Sequence, residues 1–149
     1  MSAGDTRFGF EVKRQVEFYE TDAAGIVHFS NFFRYMETAE HAFLRSLGHH
    51  FHEQAGGMEI GWPRVSATND YKSPVRFGDE LVVRVRIAEV RHRSVQYAFE
   101  CEVVGSDRIA ATGEIVTACV QIDADGGFKA VPIPDVLRAR LEEAKAASE

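Results

Sequence analysis

The sequence predicts a single α+β domain in which a curved antiparallel sheet wraps one long helix. Three observations lead to this fold class: a strand-like stretch opens the chain, one amphipathic helix follows it, and alternating strand-like patterns fill residues 62–122. Helices and strands that are segregated in this way are typical of α+β folds, whereas parallel α/β sheets alternate them. A chain of 149 residues also fits one domain, and we assign residues 1–149 to it.

The first strand is predicted over residues 8–19, because apolar and polar side chains alternate there. This pattern is typical of a strand that is buried on one face only. Arg14 is the one charged residue on the apolar face.

The helix is predicted over residues 31–47, with Ser30 or Asn31 as its N-terminal cap. Gly48 is a natural helix end, because glycine adopts the left-handed conformation that closes many helices. The apolar side chains of this helix recur at helical spacing, at Phe32, Met36, Ala39, Phe43 and Leu47.

The rest of the chain is predicted to be mainly β. Residues 49–61 lack a clear periodicity and are interpreted as irregular. Four further strands complete a five-stranded sheet, at residues 62–71, 80–90, 95–103 and 109–122. A short helix over residues 135–147 then ends the chain. Because an open sheet has two edges, edge-to-edge dimerisation is one way to protect them.

Composition excludes several classes of function. The net charge of -6 argues against nucleic-acid or anionic-membrane binding. No apolar run approaches the ~18 residues of a membrane span, and the first residues lack the apolar core of a signal peptide. The two cysteines, Cys101 and Cys119, form neither a disulfide framework nor a zinc motif. We therefore expect a cytoplasmic protein with no nucleic-acid partner, no membrane span and no bound metal.

The segment that carries chemistry connects the first strand to the helix, over residues 21–31. Asp22 lies just beyond the strand, where a carboxylate can act as a general base or as a nucleophile. A helix N-terminus follows, and its unpaired N–H groups and positive dipole end suit a developing oxyanion. The alternative is that Asp22 only forms an Asx-turn.

The same segment resembles the signature of the 4-hydroxybenzoyl-CoA thioesterase family, whose members are hotdog-fold acyl-CoA thioesterases. The matching residues are Gln15-Val16, Thr21-Asp22, Gly25-Ile26-Val27, Phe29 and Asn31-Phe32, and Ser73–Leu81 is also similar to family members. The element order matches that family too, so the resemblance covers nearly the whole chain. It implies hydrolysis of an aromatic or aliphatic acyl-CoA by a homodimer or homotetramer. No cofactor is expected, because coenzyme A is part of the substrate.

The resemblance also implies roles for single residues. Asp22 would attack the thioester carbonyl or activate the water that does. The backbone N–H of Phe29 would polarise the thioester oxygen, and Gly25 would let the loop backbone pass close to the substrate. Further substrate contacts are expected from three neighbours, His28, Asn31 and Phe32, although Asn31 is equally suited to capping the helix.

A second site is predicted at the basic turn between two strands, residues 91–94. In an acidic protein, paired arginines at a hairpin tip suit the phosphates of CoA. The resemblance places nucleotide and phosphate contacts on this turn. The CoA that it contacts would be bound in the active site of a neighbouring subunit. The alternative is a solvated polar hairpin. The residues concerned are Arg91, His92, Arg93 and Ser94.

Two other functions compete with the thioesterase. A hotdog enoyl-CoA hydratase or dehydratase needs a His–carboxylate pair, for which His28 or His41 would have to serve. A CoA- or acyl-binding module without turnover is the second alternative. Binding without thioester cleavage would favour that module.

The remaining titratable residues carry weaker signals. His49, His50 and His52 match no spacing of metal ligands and are interpreted as part of a solvated loop. Glu37 and Glu40 lie on the predicted long helix, where some other hotdog enzymes place a catalytic carboxylate. Because Asp22 already fills the catalytic position, we expect surface or interface roles for both glutamates.

Overall fold

The computed structural model describes residues 9–55 and 57–148 of the chain. A single 3-10 turn, Phe18–Glu20, precedes the first helix. In chain order the elements are β1 (Phe10–Gln15), α1 (Asn31–Ser46), β2 (His52–Ala55), β3 (Met58–Gly61), β4 (Arg64–Tyr71), β5 (Glu80–Val90), β6 (Ser94–Val103), β7 (Arg108–Ala118), β8 (Val120–Ile122), β9 (Phe128–Ala130) and α2 (Asp135–Ala147).

Five antiparallel strands form the main sheet, in the order β1-β5-β6-β7-β4. The long helix α1 packs against it, so the predicted α+β arrangement of one helix on an antiparallel sheet is confirmed. Apolar side chains of both elements are buried between them, among them Tyr35, Met36, Val83, Val85 and Phe99. Strands β1 and β4 are the two edges of this sheet.

The start of α1 differs from the predicted cap. Ser30 already has helical backbone angles, and its side chain makes no capping hydrogen bond. The Asn31 amide instead donates to the distant carbonyl of Glu20. The other end follows the prediction, because Gly48 adopts φ +85° and its N–H bonds to the carbonyl of Arg45.

Two predicted strands differ most from those in the structure. The first ends at Gln15, and Phe18–Glu20 forms the 3-10 turn with Phe18 and Tyr19 exposed. Its predicted first residue, Phe8, lies outside the described residues. The predicted strand over 109–122 is divided at Cys119, whose N–H bonds to the carbonyl of Arg93 and leaves the main ladder.

The interpretation of residues 49–61 as irregular is wrong. Strands β2 and β3 form an antiparallel hairpin there. The hairpin continues through β8 to β9, so a second sheet has the order β2-β3-β8-β9. The four strands are three or four residues long, too short to show a clear period-two pattern in the sequence.

The C-terminal helix α2 occupies the predicted residues and buries Leu137 and Leu141. Its Arg138 guanidinium donates to the carbonyls of Arg91 and His92, which fixes the helix against the β5–β6 turn. None of the helices within the described residues is long and apolar enough to cross a membrane.

Candidate active site

The loop after β1 is folded back on itself around Gly25. The N–H of Asp22 bonds to the carbonyl of Ile26 at 2.8 Å, and the N–H of Gly25 bonds to the carbonyl of Asp22 at 3.0 Å. Gly25 has φ +81°, a conformation that side chains with a Cβ rarely adopt. A bridge between Ile26 and Arg76 ties the loop to the segment before β5.

The carboxylate of Asp22 is half-exposed and only partly engaged. Its Oδ1 accepts the N–H of Ala24 at 2.8 Å, so the Asx-turn considered above is present. Its Oδ2 has no hydrogen-bond partner among residues 9–55 and 57–148. One oxygen therefore holds the turn, and the other is available for chemistry.

Phe29 lies two residues before α1, and its backbone is held from outside the loop. The Tyr71 hydroxyl donates to the carbonyl of Phe29 at 3.0 Å, and the two rings meet edge to face at 6.5 Å between centroids. The N–H of Phe29 has no acceptor within the part of the chain that the structure describes. It is a free donor at the helix N-terminus.

Asp22 and Phe29 line one groove of about 350 Å³. Its other lining residues are Ile26, Val27 and the segment from Tyr71 to Val75. Most of these side chains are apolar, so the groove can accept an acyl group beside a carboxylate and a free N–H. The structure thus places in one groove the two residues to which the resemblance assigns catalytic roles.

The three neighbours with predicted substrate contacts do not line this groove. Asn31 is buried, its amide donates to the Glu20 carbonyl at 2.8 Å, and its Oδ1 accepts from Arg34 at 3.0 Å. The exposed His28 ring lies 2.8 Å from the Ser30 hydroxyl through Nδ1. Phe32 is buried and meets Tyr71, which does line the groove, edge to face at 5.6 Å.

Beneath the loop lies a buried cluster that the sequence analysis missed. Glu20 is 5% exposed, and its carboxylate pairs with Arg14 at 2.6 Å and accepts the Glu17 N–H at 2.8 Å. The Arg14 guanidinium also lies 4.4 Å from the ring centre of Tyr35. Burial, and then the nearby Glu20, raise the pKa of Tyr35 well above its ordinary value. The charged Arg14 on the apolar face of the first strand was the signal that pointed to such a partner.

The two helix glutamates have different environments. Glu37 is exposed as expected, but the prediction is wrong for Glu40, which is completely buried. The reason is Arg64 of β4, which contacts both carboxylates at 3.0 Å and provides the buried one with a counter-charge. Burial nevertheless raises the pKa of Glu40 to about 7, while Arg64 acts in the opposite direction.

The basic turn lies at the other end of the sheet from Asp22. Gln15, at the loop end of β1, pairs with Glu80 at the start of β5, whereas Arg91 follows the last residue of β5. A strand rises about 3.3 Å per residue, so the 11 residues of β5 separate its ends by roughly 30 Å. A single subunit therefore does not bring the turn and the groove together. If the turn contacts a bound substrate, that substrate must lie in the groove of a neighbouring subunit.

Within the turn, the side chains differ in their availability. Arg91 contacts Glu89 and Gln96, each at 2.9 Å. His92 and Arg93 are exposed, and Ser94 begins β6.

Of the described residues, no three His, Cys, Asp or Glu side chains lie close enough together to hold a metal ion.

Comparison with known proteins identifies the family. The profile of the thioesterase-like superfamily matches residues 16–141. A 1,4-dihydroxy-2-naphthoyl-CoA hydrolase from Thermosynechococcus vestitus is 29% identical over 90% of this chain and 89% of the relative. The acyl-CoA thioesterase YbgC from Haemophilus influenzae is 23% identical over 95% of this chain and 98% of the relative.

A solved structure agrees with this assignment in its fold. The crystal structure of Slr0204, a 1,4-dihydroxy-2-naphthoyl-CoA thioesterase from Synechocystis, matches with a TM-score of 0.79 at 23% identity, over 90% of this chain and 96% of that chain. None of these three relatives is named for 4-hydroxybenzoyl-CoA, so they do not confirm it as the substrate. The chain belongs to the thioesterase-like superfamily and has its hotdog fold.

Proposed function

We propose that the protein is an acyl-CoA thioesterase that uses Asp22 as its nucleophile or general base. The observation that carries this proposal is that one groove is lined by both Asp22, whose Oδ2 is free, and Phe29, whose N–H has no acceptor among the described residues. Relatives named as CoA-ester hydrolases support thioester cleavage as the reaction.

The groove supplies what thioester hydrolysis requires. The Phe29 N–H donates to the thioester oxygen and stabilises the negative charge that develops there, with the dipole of α1 acting in the same direction. Asp22 then acts in one of two ways. As a nucleophile it forms an acyl-enzyme anhydride and expels the CoA thiolate, and water hydrolyses the anhydride. As a base it takes a proton from water, whose oxygen attacks the carbonyl carbon; the C–S bond then breaks, and the departing CoA thiolate takes up the proton from Asp22. Both routes give a carboxylic acid and CoA.

Aromatic acyl groups are the first class of substrate to test. The groove has mainly apolar lining residues, among them Tyr71, whose ring packs against those of Phe29 and Phe32. Relatives named for a naphthoyl-CoA ester support the same choice. Short and medium aliphatic acyl groups fit an apolar groove as well and belong in the same panel.

We further propose that the chain forms a homodimer or homotetramer through β4. This strand is an edge of the main sheet, and its residues from Val65 to Thr68 are all exposed. An exposed edge presents unpaired N–H and C=O groups that another strand can satisfy. The groove borders the same strand through Tyr71, so a second subunit would lie close to it.

The experiment is CoA-thiol release from a panel of aromatic and aliphatic acyl-CoA esters, with Asp22→Asn measured in parallel. Asparagine keeps a side-chain oxygen that can accept the Ala24 N–H, so the turn is preserved while the base or nucleophile is lost. Release should fall by a factor of about 10² or more. Equal release from both proteins would remove Asp22 from the mechanism. No release from any ester, with CoA binding retained, would favour the binding module.

A further inference from the structure

A second cavity lies between the β2–β3 hairpin and the start of α2, with a volume of about 660 Å³. This volume is typical of sites that take up small molecules. The lining is mainly apolar and includes Met58, Ile133, Val136 and Leu137. The described residues that line this cavity are all different from those that line the Asp22 groove.

The cavity and the Asp22 groove lie at opposite ends of α1. Phe29 lines the groove and precedes the helix, whereas His49 lines the cavity and follows it. Because an α-helix rises about 1.5 Å per residue, the 16 residues of α1 separate its ends by roughly 24 Å. A small molecule in the cavity therefore lies too far from Asp22 of the same chain to take part in its chemistry.

His49 is the polar side chain on which this site depends. The interpretation of this residue as part of a solvated loop is wrong, because only 9% of it is exposed. Its backbone N–H bonds to the carbonyl of Leu44 at 2.9 Å, and its Nδ1 lies 2.9 Å from the Glu53 carboxylate. Glu53 lines the cavity as well and is held in the hairpin opposite Ile60. The imidazole is thus fixed at the cavity wall from two sides.

The other ring nitrogen of His49, Nε2, lacks a partner. It is shielded from bulk solvent and forms no hydrogen bond with any residue that the structure describes. A carboxylate accepts hydrogen bonds, so the contact with Glu53 places the ring proton on Nδ1, and the neutral ring then presents Nε2 as an acceptor. Buried polar atoms are nearly always satisfied. This acceptor therefore needs a donor that the described part of the chain does not provide.

The charges around the cavity narrow the class of ligand. Its carboxylates are Glu53 and Asp135, and none of its described lining residues is a lysine or an arginine. An anion such as a carboxylate or a phosphate therefore meets no counter-charge there. Neither carboxylate requires a cation, because Glu53 is paired with His49 and Asp135 lies in the first turn of α2, where the helix dipole favours negative charge. These charges favour a neutral ligand.

We propose that this cavity binds a small neutral molecule with an apolar body and a hydroxyl group, of the chemical class of the alkylphenols. The O–H donates to Nε2 of His49, and the apolar body packs against Met58, Ile133 and Leu137. This site is separate from the proposed active site, and it does not depend on whether the protein cleaves thioesters.

The test is a titration of the protein with 4-ethylphenol and with ethylbenzene, which has the same apolar body without the hydroxyl group. Binding is followed by NMR through the methyl signal of Met58, which lines the cavity, and Met36 in the core is the internal reference. In the parent protein, 4-ethylphenol should bind about ten times more tightly than ethylbenzene, the difference that one buried hydrogen bond makes. His49→Phe should abolish this preference, because it keeps an aromatic ring but removes Nε2.

A second pair of variants tests the cavity and leaves the contact between His49 and Glu53 intact. Ala55→Trp places a large side chain in the cavity from the hairpin and should weaken the binding of both probes about tenfold or more. Ala139→Trp is the matched control, because Ala139 is exposed on α2 and lies outside the cavity. The control should bind both probes as the parent protein does.

Three results would overturn the proposal. One is the absence of any shift of the Met58 methyl signal with 4-ethylphenol. Another is equal or tighter binding of ethylbenzene by the parent protein, which would mean that His49 offers no acceptor to a ligand. The third is unchanged binding by Ala55→Trp, which would place the probes at another site such as the Asp22 groove.

Discussion

Arg14 and Glu20 form a 2.6 Å ion pair beneath the Asp22 loop, and this pair joins the first strand to the start of the long helix. The carbonyl of Glu20 accepts two hydrogen bonds, from the His28 N–H at 2.9 Å and the Asn31 amide at 2.8 Å. One residue therefore holds the two ends of the segment that carries both Asp22 and Phe29. Glu20 is a positioning residue for the groove and lies outside it.

Arg14→Met should lower the free energy of unfolding by about 3 kcal/mol, because it leaves the buried Glu20 carboxylate without its counter-charge. Arg14→Lys keeps the charge and should recover part of the loss. The measurement is urea unfolding, with Arg91→Met as a control that breaks an exposed pair worth less than about 1 kcal/mol. Equal losses in Arg14→Met and Arg91→Met would contradict a special role for the buried pair.

Gly25→Ala should reduce both stability and turnover. Gly25 has φ +81°, and no atom lies within 4 Å of a Cβ placed there, so the cost is one of backbone conformation, about 1 kcal/mol. Relief of that strain would shift the loop and move Asp22 relative to the Phe29 N–H. Gly126→Ala is the matched control, since it has φ +87° and equally open space in the β8–β9 turn. A similar loss of stability with full activity is expected for the control, and full activity in Gly25→Ala would show that the loop tolerates the change.

The sequence was sufficient to predict elements in which apolar and polar side chains recur regularly over several helical turns or strand residues. Strand β5 and helix α2 have the predicted limits. Their patterns extend over 11 and 13 residues, respectively, which is long enough to predict both ends. The second sheet was missed because its strands are three or four residues long. Hydrogen bonds across the fold, such as the one from Asn31 to Glu20, leave no periodic signal at all.

The candidate site shows the same division between local and long-range information. Asp22 and Phe29 are close in the chain, so a single sequence motif includes both of them. Arg91 and Arg93 are remote in sequence, and only the strand register shows that β5 separates them from the groove on their own subunit. Lys72 reaches the groove because Val27 bonds to Val75, a pairing that composition and periodicity do not reveal.

Val65→Lys should dissociate the proposed oligomer. Val65 is 62% exposed on the edge strand β4, and a lysine on an edge strand opposes pairing with another strand. Light scattering should give a multiple of the 16.6 kDa chain mass for the parent and a smaller multiple for the variant. Lys129→Glu on the other sheet changes a charge without touching β4 and serves as the control. A monomeric parent protein would exclude the homodimer.

The buried Glu40 should make stability depend on pH. Its pKa is about 7 in the folded chain, against 4.5 for an ordinary glutamate, because burial disfavours the charged form more than Arg64 favours it. Between these two values the folded chain holds a proton that the unfolded chain has released. The free energy of unfolding therefore falls as the pH rises from about 4.5 to 7, by roughly 3 kcal/mol at most from this group.

Glu40→Gln should remove that dependence, because glutamine does not titrate. Relative to the parent, the variant should gain stability as the pH is raised through this range, and the difference should level off above pH 7. Urea unfolding of both proteins at pH 5, 6, 7 and 8 measures it, with Glu37→Gln as the control, since Glu37 contacts the same Arg64 from an exposed position. Parallel curves for the parent and Glu40→Gln would mean that the Arg64 contact keeps Glu40 ionised throughout.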